Sequence, residues 1–374
     1  MQHTTERASI TSLALTDFRN FERLEMQIPD AGFVIVGENG QGKTNLLEAV
    51  YYLSLLRSVR GARDVDVVRF GADSFFVQAS LCVPGTRELS IGFERAGRRK
   101  RVRRDGAVVE RLSDALGTLP AVMFSPADVD IVAGGAAERR RFLDIMLALS
   151  SRGYLHALQQ YRGALERRNA ALRDAARSGT PERLAAVDVW EAPLAEHGAR
   201  LVRARRAWVA QVSDRFADRC GVIGERGAPA LRYETAVAAN AESVELAIGT
   251  ALAGRRGSDV RAGLTQFGPH RDDLTMLLDG RELRIFGSAG QQRTAAIALR
   301  TLEAETLRAA HDASPVFLLD DPFAELDERR AARVLSLLND VGVGQAILAV
   351  PRDTDIPAEL TALSRHRVIA GRVS

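Results

Sequence analysis

The chain has 374 residues, 46% of them hydrophobic and 26% charged, the balance of a folded globular protein long enough for two domains. No apolar run reaches about 18 residues, and Met1-Gln2-His3-Thr4-Thr5-Glu6-Arg7 lacks the apolar core of an export signal, so no membrane span and a cytoplasmic location are expected. The formal net charge of +3 suits a polyanionic partner and equally suits a plain preference for arginine; Cys82 and Cys220 lie far apart without metal-ligand spacing, as in a reducing compartment.

In chain order, Ile10 to Ile28 reads as two strands: Leu13, Leu15, Leu24, Met26 and Ile28 alternate with polar residues, and Asp17-Phe18-Arg19-Asn20 lies between. Phe33 to Val36 is a short apolar run of buried-strand type. A glycine-rich loop follows it, and then a helix from Thr44, with Leu46, Leu47, Val50 and Tyr51 at helical spacing. Ser74 to Val83 and Arg87 to Phe93 read as strands, and Gly97 to Val109 as a hairpin turning at Asp105-Gly106. Composition shifts near Ser125-Pro126. From Glu138 to Arg215 the chain is rich in Ala, Leu and Arg and reads as long helices broken at Ser178-Gly179-Thr180-Pro181. After a mixed stretch to Gly263, strand character returns at Leu274 to Leu278, turns at Asp279-Gly280 and resumes over Leu283 to Phe286. A helix is expected from Gln291 to Ala310, and Val316 to Leu319 and Ala346 to Val350 are runs of buried parallel type. The expectation is one split α/β domain, 1–125 with 264–374, interrupted by a mainly helical insertion, 126–263.

Gly37-Glu38-Asn39-Gly40-Gln41-Gly42-Lys43-Thr44 has the spacing G-x-x-x-x-G-K-[ST] of the Walker A phosphate loop. Lys43 is one of only two lysines, with Lys100, among 51 Lys and Arg residues. A compact ammonium on a flexible stem reaches a β/γ-phosphate inside a tight loop where a planar guanidinium fits poorly. Strand, loop and helix N-terminus together make an anion site, with the Thr44 hydroxyl placed for Mg²⁺. Val316-Phe317-Leu318-Leu319-Asp320-Asp321, an apolar strand ending in two carboxylates, has the Walker B pattern. Asp320 is expected to hold Mg²⁺, and Asp321 to polarise the attacking water. Gly287-Ser288-Ala289-Gly290-Gln291-Gln292-Arg293 opens a helix. It reads either as a second anion site or as a glycine turn with a serine N-cap.

The order Walker A, Ser-Ala-Gly-Gln-Gln-Arg, Walker B, then Ala324-Glu325-Leu326-Asp327 resembles the ABC-type ATPases. There the Ser-led segment is the signature motif and the last one the D-loop, and the resemblance implies an ATPase head: a P-loop sheet flanked by a β-meander and helices. It also implies that Ser288, Ala289, Gly290 and Gln291 of one copy cap the ATP held by another. The long interval from Thr44 to Ser288 points to the SMC-like branch with a mostly helical second lobe. Within it the chain resembles the RecF family of bacterial DNA replication and repair proteins. Phe124-Ser125-Pro126-Ala127-Asp128 with Gly134-Gly135 and Arg139 to Asp144 carries that resemblance, as do Gly268-Pro269-His270-Arg271-Asp272-Asp273-Leu274 and Leu55 to Arg60. Val350-Pro351-Arg352 departs from it where the family tends to show threonines. The resemblance implies an ATP-induced homodimer with slow hydrolysis, loading recombinase at DNA gaps alongside recombination mediator proteins. A transporter's ATP subunit, and an SMC-like ATPase partnering a nuclease in phage defence, are the other readings.

Arg95, Arg98, Arg99, Lys100, Arg101, Arg103 and Arg104 crowd one hairpin. Phosphate backbone is the natural counter-charge, and a solvated hairpin is the bland alternative. Arg57 or Arg60 is placed to act on the phosphates as an arginine finger. Arg200, Arg203, Arg205 and Arg206 read as a solvated or ion-paired helix face, and His270 with Asp272 and Asp273 as a structural hydrogen-bond cluster. With aromatics at 6% and no stacking face, any DNA contact, single-stranded or gapped duplex, is expected to be to backbone and salt-sensitive.

Overall fold

The structure, a computed structural model, describes residues 6–178, 180–238, 243–323, 328–342 and 344–374. The chain forms two compact units, one of 1–129, 219–225 and 293–374, the other of 130–218 and 226–292.

The first unit is built on two six-stranded sheets. One runs Arg372–Val373, Ser364–Ile369, Gly32–Val36, Ala346–Val350, Val316–Asp320, Ala121–Phe124, parallel except for the first pair. Gly32–Val36, Ala346–Val350 and Val316–Asp320 are buried along their whole length, which is why they read as unbroken apolar runs. The other sheet is an antiparallel meander, Phe21–Gln27, Ser9–Phe18, Ser74–Val83, Thr86–Glu94, Arg99–Arg104, Ala107–Val108. Gln345, fully buried, joins the two. Its amide donates to the carbonyls of Ile10 and Pro29 and accepts from the Ile10 N–H, each at 2.8 to 2.9 Å. The Walker helix, Lys43–Leu55, is buried on nearly every side. Tyr52 on this helix packs edge-on against Phe18 and Phe75 of the meander, at ring separations of 5.9 and 5.4 Å.

The second unit is mainly helical: Ala136–Ser150, Arg152–Ser178, Pro181–Asp188, Val244–Ala262 and most of Glu191–Ile223. It also holds a small antiparallel sheet of Pro229–Glu234, Asp273–Leu278 and Arg281–Glu282. This pairing corrects two expectations. The strand near Leu274 partners Pro229–Glu234, so residues 264–292 belong with the helical unit rather than with the ATPase head. Leu283–Phe286 is one helical turn, not a strand; the Gly287 N–H closes it on the Leu283 carbonyl at 3.0 Å, leaving Ile285 and Phe286 exposed.

Two stretches that carry the RecF resemblance meet inside this unit. Arg139 makes a bidentate pair with Asp273 (2.7 and 2.8 Å), and Arg140 donates to the Asp272 carbonyl (2.8 Å). Asp144 accepts from Arg205 and Arg162, both at 2.8 Å, and from Tyr154 at 2.6 Å. Arg205 is buried and also donates to the Pro269 carbonyl at 2.7 Å, so only part of the Arg200–Arg206 run is a surface face. Arg200 pairs with Glu196 across one helical turn in the open. His270 uses both ring nitrogens, Nδ1 with the Tyr161 hydroxyl (2.6 Å) and Nε2 with the Thr265 carbonyl (3.0 Å). The cluster is structural, and no metal-holding group of His, Cys, Asp and Glu occurs among the described residues.

Candidate nucleotide-binding site

The loop from Gly37 to Gly42 leaves the buried strand Gly32–Val36 and delivers Lys43 and Thr44 to the first helical turn. The Lys43 ammonium is buried and curls back on the loop, donating to the carbonyls of Gly37 (2.5 Å) and Glu38 (3.0 Å). Burial pushes its pKa down, against the pull of Asp320 and Asp321. Glu38, Asn39 and Gly40 are exposed, and Gln41 is half-buried. Gly42 has φ of +120°, and a Cβ there would meet the Asn20 side chain at 2.6 Å, so only glycine fits.

Thr44 Oγ1 donates to Asp320 Oδ1 at 3.1 Å, bringing the two expected Mg²⁺ ligands together from distant parts of the chain. Burial raises the Asp320 pKa; the Thr44 hydrogen bond, Arg60 and Lys43 oppose it. A hydroxyl and a carboxylate are hard oxygen donors, the set that Mg²⁺ takes, and a divalent cation offsets the burial penalty on Asp320. The residues therefore fit the ion. Asp321 follows with φ of +47°, a left-handed conformation that costs a non-glycine residue energy. Its N–H is tied to the Ala349 carbonyl at 2.9 Å. Burial and then Asp355 raise its pKa; Arg293 and Lys43 oppose this.

The turn after the Walker helix is organised by the buried Glu48. Its carboxylate accepts from Arg19 (2.9 and 3.0 Å) and Ser58 (2.5 Å), with Arg60 at 3.7 Å. Arg57 is exposed beside Leu56, and its charge acts on Tyr51, while Arg60 joins Lys43 in favouring the charged form of Asp320.

Ser288 caps the helix Ala289–His311 in a reciprocal box. Its hydroxyl accepts from the Gln291 N–H (3.3 Å), and its own N–H donates to Gln291 Oε1 (2.9 Å). Ser288 and Ala289 are exposed, and Gly290 and Gln291 half-buried. This tip falls in the second unit, whereas Arg293, which donates to the Pro322 carbonyl at 3.3 Å, falls in the first. The D-loop expectation, Ala324 to Asp327, lies outside the described residues.

One set of supporting residues had no motif to announce it. Asn20 donates to the Gln41 carbonyl at 2.9 Å and accepts from Asn45 at 2.8 Å. The turn Ala370-Gly371 closes on the same loop: Gly371 N–H donates to the Gln41 carbonyl (3.0 Å) and Ala370 N–H to Gln41 Oε1 (2.7 Å). A Cβ on Gly371, where φ is +77°, would lie 2.3 Å from the Asn20 carbonyl oxygen. Asn20 sits in the tight turn of the first hairpin, which marks a turn and nothing more.

The chain matches the family model described as RecF/RecN/SMC N terminal domain over residues 9–355. It is 38% identical to the DNA replication and repair protein RecF of Frankia alni, covering 97% of this chain and 98% of that one. It is equally identical to RecF of Anaeromyxobacter sp., with 98% of each chain covered. Among solved structures it is similar to a recombination mediator protein RecF bound to ATP in the RecFOR pathway, at TM-score 0.89 and 26% identity, over 100% of this chain and 99% of that chain. It shares the fold of an Smc head bound to the C-winged helix domain of ScpA, at TM-score 0.53 and 15% identity over 98% and 96% of the two chains. No helix among the described residues is long and apolar enough to cross a membrane. With the Walker threonine and the acidic strand end joined in one α/β unit, and this likeness running the length of the chain, the protein belongs to the RecF family of DNA replication and repair proteins, within the RecF/RecN/SMC ATPases.

Proposed function

We propose that this chain is an ATP-driven clamp on DNA that hydrolyses ATP slowly and serves recombinase loading at gaps, together with recombination mediator proteins. The observation that carries the reading is the bond from Thr44 to Asp320, 3.1 Å long. It joins the phosphate loop to an acidic strand end, the arrangement that binds a nucleoside triphosphate with Mg²⁺. The backbone N–H groups from Gly37 to Thr44 and the Lys43 ammonium hold the phosphates, and the ammonium exchanges its loop carbonyls for phosphate oxygens. Thr44 and Asp320 would hold Mg²⁺, which would supply positive charge against the phosphates when bound. Asp321 orients the attacking water.

Ser288, Ala289, Gly290 and Gln291 of a second copy complete the pocket. The exposure of Ser288 and Ala289 at that helix tip, where the helix dipole favours an anion, supports this reading. DNA is gripped through its backbone by Arg99, Arg101 and Arg103, whose side chains are all exposed on one face of an edge region of the meander. The experiment is sedimentation with ATP or ADP, with and without a gapped duplex, for wild type and Lys43→Met. Wild type is expected to dimerise and retain DNA with ATP only, and the variant to stay monomeric. A variant that still dimerises on ATP refutes the site.

A further inference from the structure

Lys100 is the one cation of the basic hairpin that does not face solvent. In the strand Arg99–Arg104, Arg99, Arg101 and Arg103 project to one face and are exposed, whereas Lys100 and Val102 project to the other. The Lys100 side chain is only 12% exposed. Its ammonium donates to the Leu56 carbonyl at 2.8 Å, pairs with Asp64 at 2.6 Å, and sits 5.2 Å from the centroid of the Tyr52 ring. Tyr52 donates to the other oxygen of Asp64 at 2.5 Å.

Leu56 and Asp64 bracket the short segment 57–63, the part of the chain that carries Arg57 and Arg60. One ammonium thus ties the two ends of that loop together. Its middle is tied separately, to Glu48 through Ser58 and Arg60. Leu56 is left-handed, with φ of +54°, closing the Walker helix through its N–H to the Tyr52 carbonyl at 2.7 Å. That conformation, unfavourable for leucine, points its carbonyl at Lys100, and the bond helps to hold it. The loop is therefore clamped at its base from the hairpin, and its middle is fastened through Ser58 and Arg60 to Glu48 of the helix that begins at Lys43.

We propose that Lys100 is a positioning residue that couples anion binding on the outer face of the hairpin to the arginine loop beside the nucleotide site. The inference rests on the DNA-clamp reading above. A phosphate backbone drawn onto Arg99, Arg101 and Arg103 acts on the same short strand that carries Lys100. A small shift of that strand moves Leu56 and Asp64 together, and with them Arg57 and Arg60. The inward face of the strand transmits what the outward face binds, and the second lysine of the chain has a role distinct from its arginine neighbours. A lysine suits it: three donors on a compact head serve a carbonyl, a carboxylate and an aromatic face at once.

The test uses the full chain, with ATP turnover measured alone and with a gapped duplex, and DNA affinity measured separately. In Lys100→Met, DNA affinity is expected to stay within about twofold of wild type, while the ratio of DNA-stimulated to basal turnover falls about fivefold or more. Lys100→Arg is expected to restore part of that ratio. Asp64→Asn breaks the same clamp from the loop side and is expected to repeat the loss, which guards against a folding defect peculiar to position 100. Hydrogen exchange over residues 57–63 is expected to respond to DNA in wild type and not in Lys100→Met. A stimulation ratio unchanged in both Lys100→Met and Asp64→Asn overturns the proposal. So does a drop in DNA affinity large enough to account for the missing stimulation, because Lys100 is then an ordinary DNA-binding cation. Wild type that binds DNA without any change in turnover overturns the coupling alone, and wild type that does not bind DNA brings down the clamp reading beneath it.

Discussion

Replacing Asn20 with alanine removes two hydrogen bonds from under the phosphate loop: the one to the Gln41 carbonyl at 2.9 Å and the one from Asn45 at 2.8 Å. A neutral hydrogen bond contributes about 1 kcal/mol net, so roughly 2 kcal/mol is at stake. The Gln41 carbonyl keeps the Gly371 N–H and is not orphaned, so the loss lies between about 1 and 2 kcal/mol, or a rise in the ATP dissociation constant of about 5- to 30-fold. Asn45→Ala deletes only the shared bond and leaves Asn20 on Gln41, so its effect is about 1 kcal/mol, or roughly fivefold. Because one bond is common to both changes, the double variant is expected to be no weaker than Asn20→Ala alone. Titration calorimetry with ATP reads the affinity, and thermal unfolding in parallel reports whether the fold survives. If folded Asn20→Ala binds ATP within about twofold of wild type, or if the two substitutions add, Asn20 does not support the loop.

Changing Arg99, Arg101 and Arg103 together to alanine is expected to flatten the dependence of log DNA affinity on log salt by roughly 2.7, about 0.9 for each phosphate that an arginine no longer neutralises. An unchanged slope places the DNA elsewhere on the protein. In the second unit, burial holds the His270 pKa below its ordinary 6.5. In the pH range just below 6.5 the unfolded chain binds a proton that the folded one does not, so the stability His270 contributes is present above that pH and lost as pH falls beneath it. Unfolding midpoints between about pH 7.5 and 5.5 are expected to fall for wild type and to flatten for His270→Gln; equal slopes in the two proteins sink the assignment.

How far the sequence could be read depended on how local each cause was. Lys43 and Thr44 were legible because the phosphate loop is a contiguous pattern, and Asp320 because a wholly buried strand needs an unbroken apolar run before its acidic end. Residues 264–292 were misassigned because Asp273–Leu278 looks like a return to the α/β sheet, while its partner, Pro229–Glu234, carries too mixed a pattern to announce itself. Ser364–Ile369, a member of the phosphate-loop sheet, went unread for the same reason: Arg365, His366 and Arg367 break up its apolar character. Lys100 looked like one of seven like charges, although two-residue alternation along a strand already separates it from Arg99 and Arg101. Asn20 had no local signal at all, since what it touches is set by how a distant turn packs.

Gln41 and Gly371 are far apart in the sequence, and Gln345 joins the equally remote Ile10 to the central sheet. During synthesis Gly32–Val36 must wait until Ala346–Val350 and Ser364–Ile369, its two neighbours in the sheet, have been made. Residues 130–292 are made almost without interruption and need no such delay. Pairings between remote residues form slowly, so the helical unit is set to mature before the phosphate-loop sheet can close.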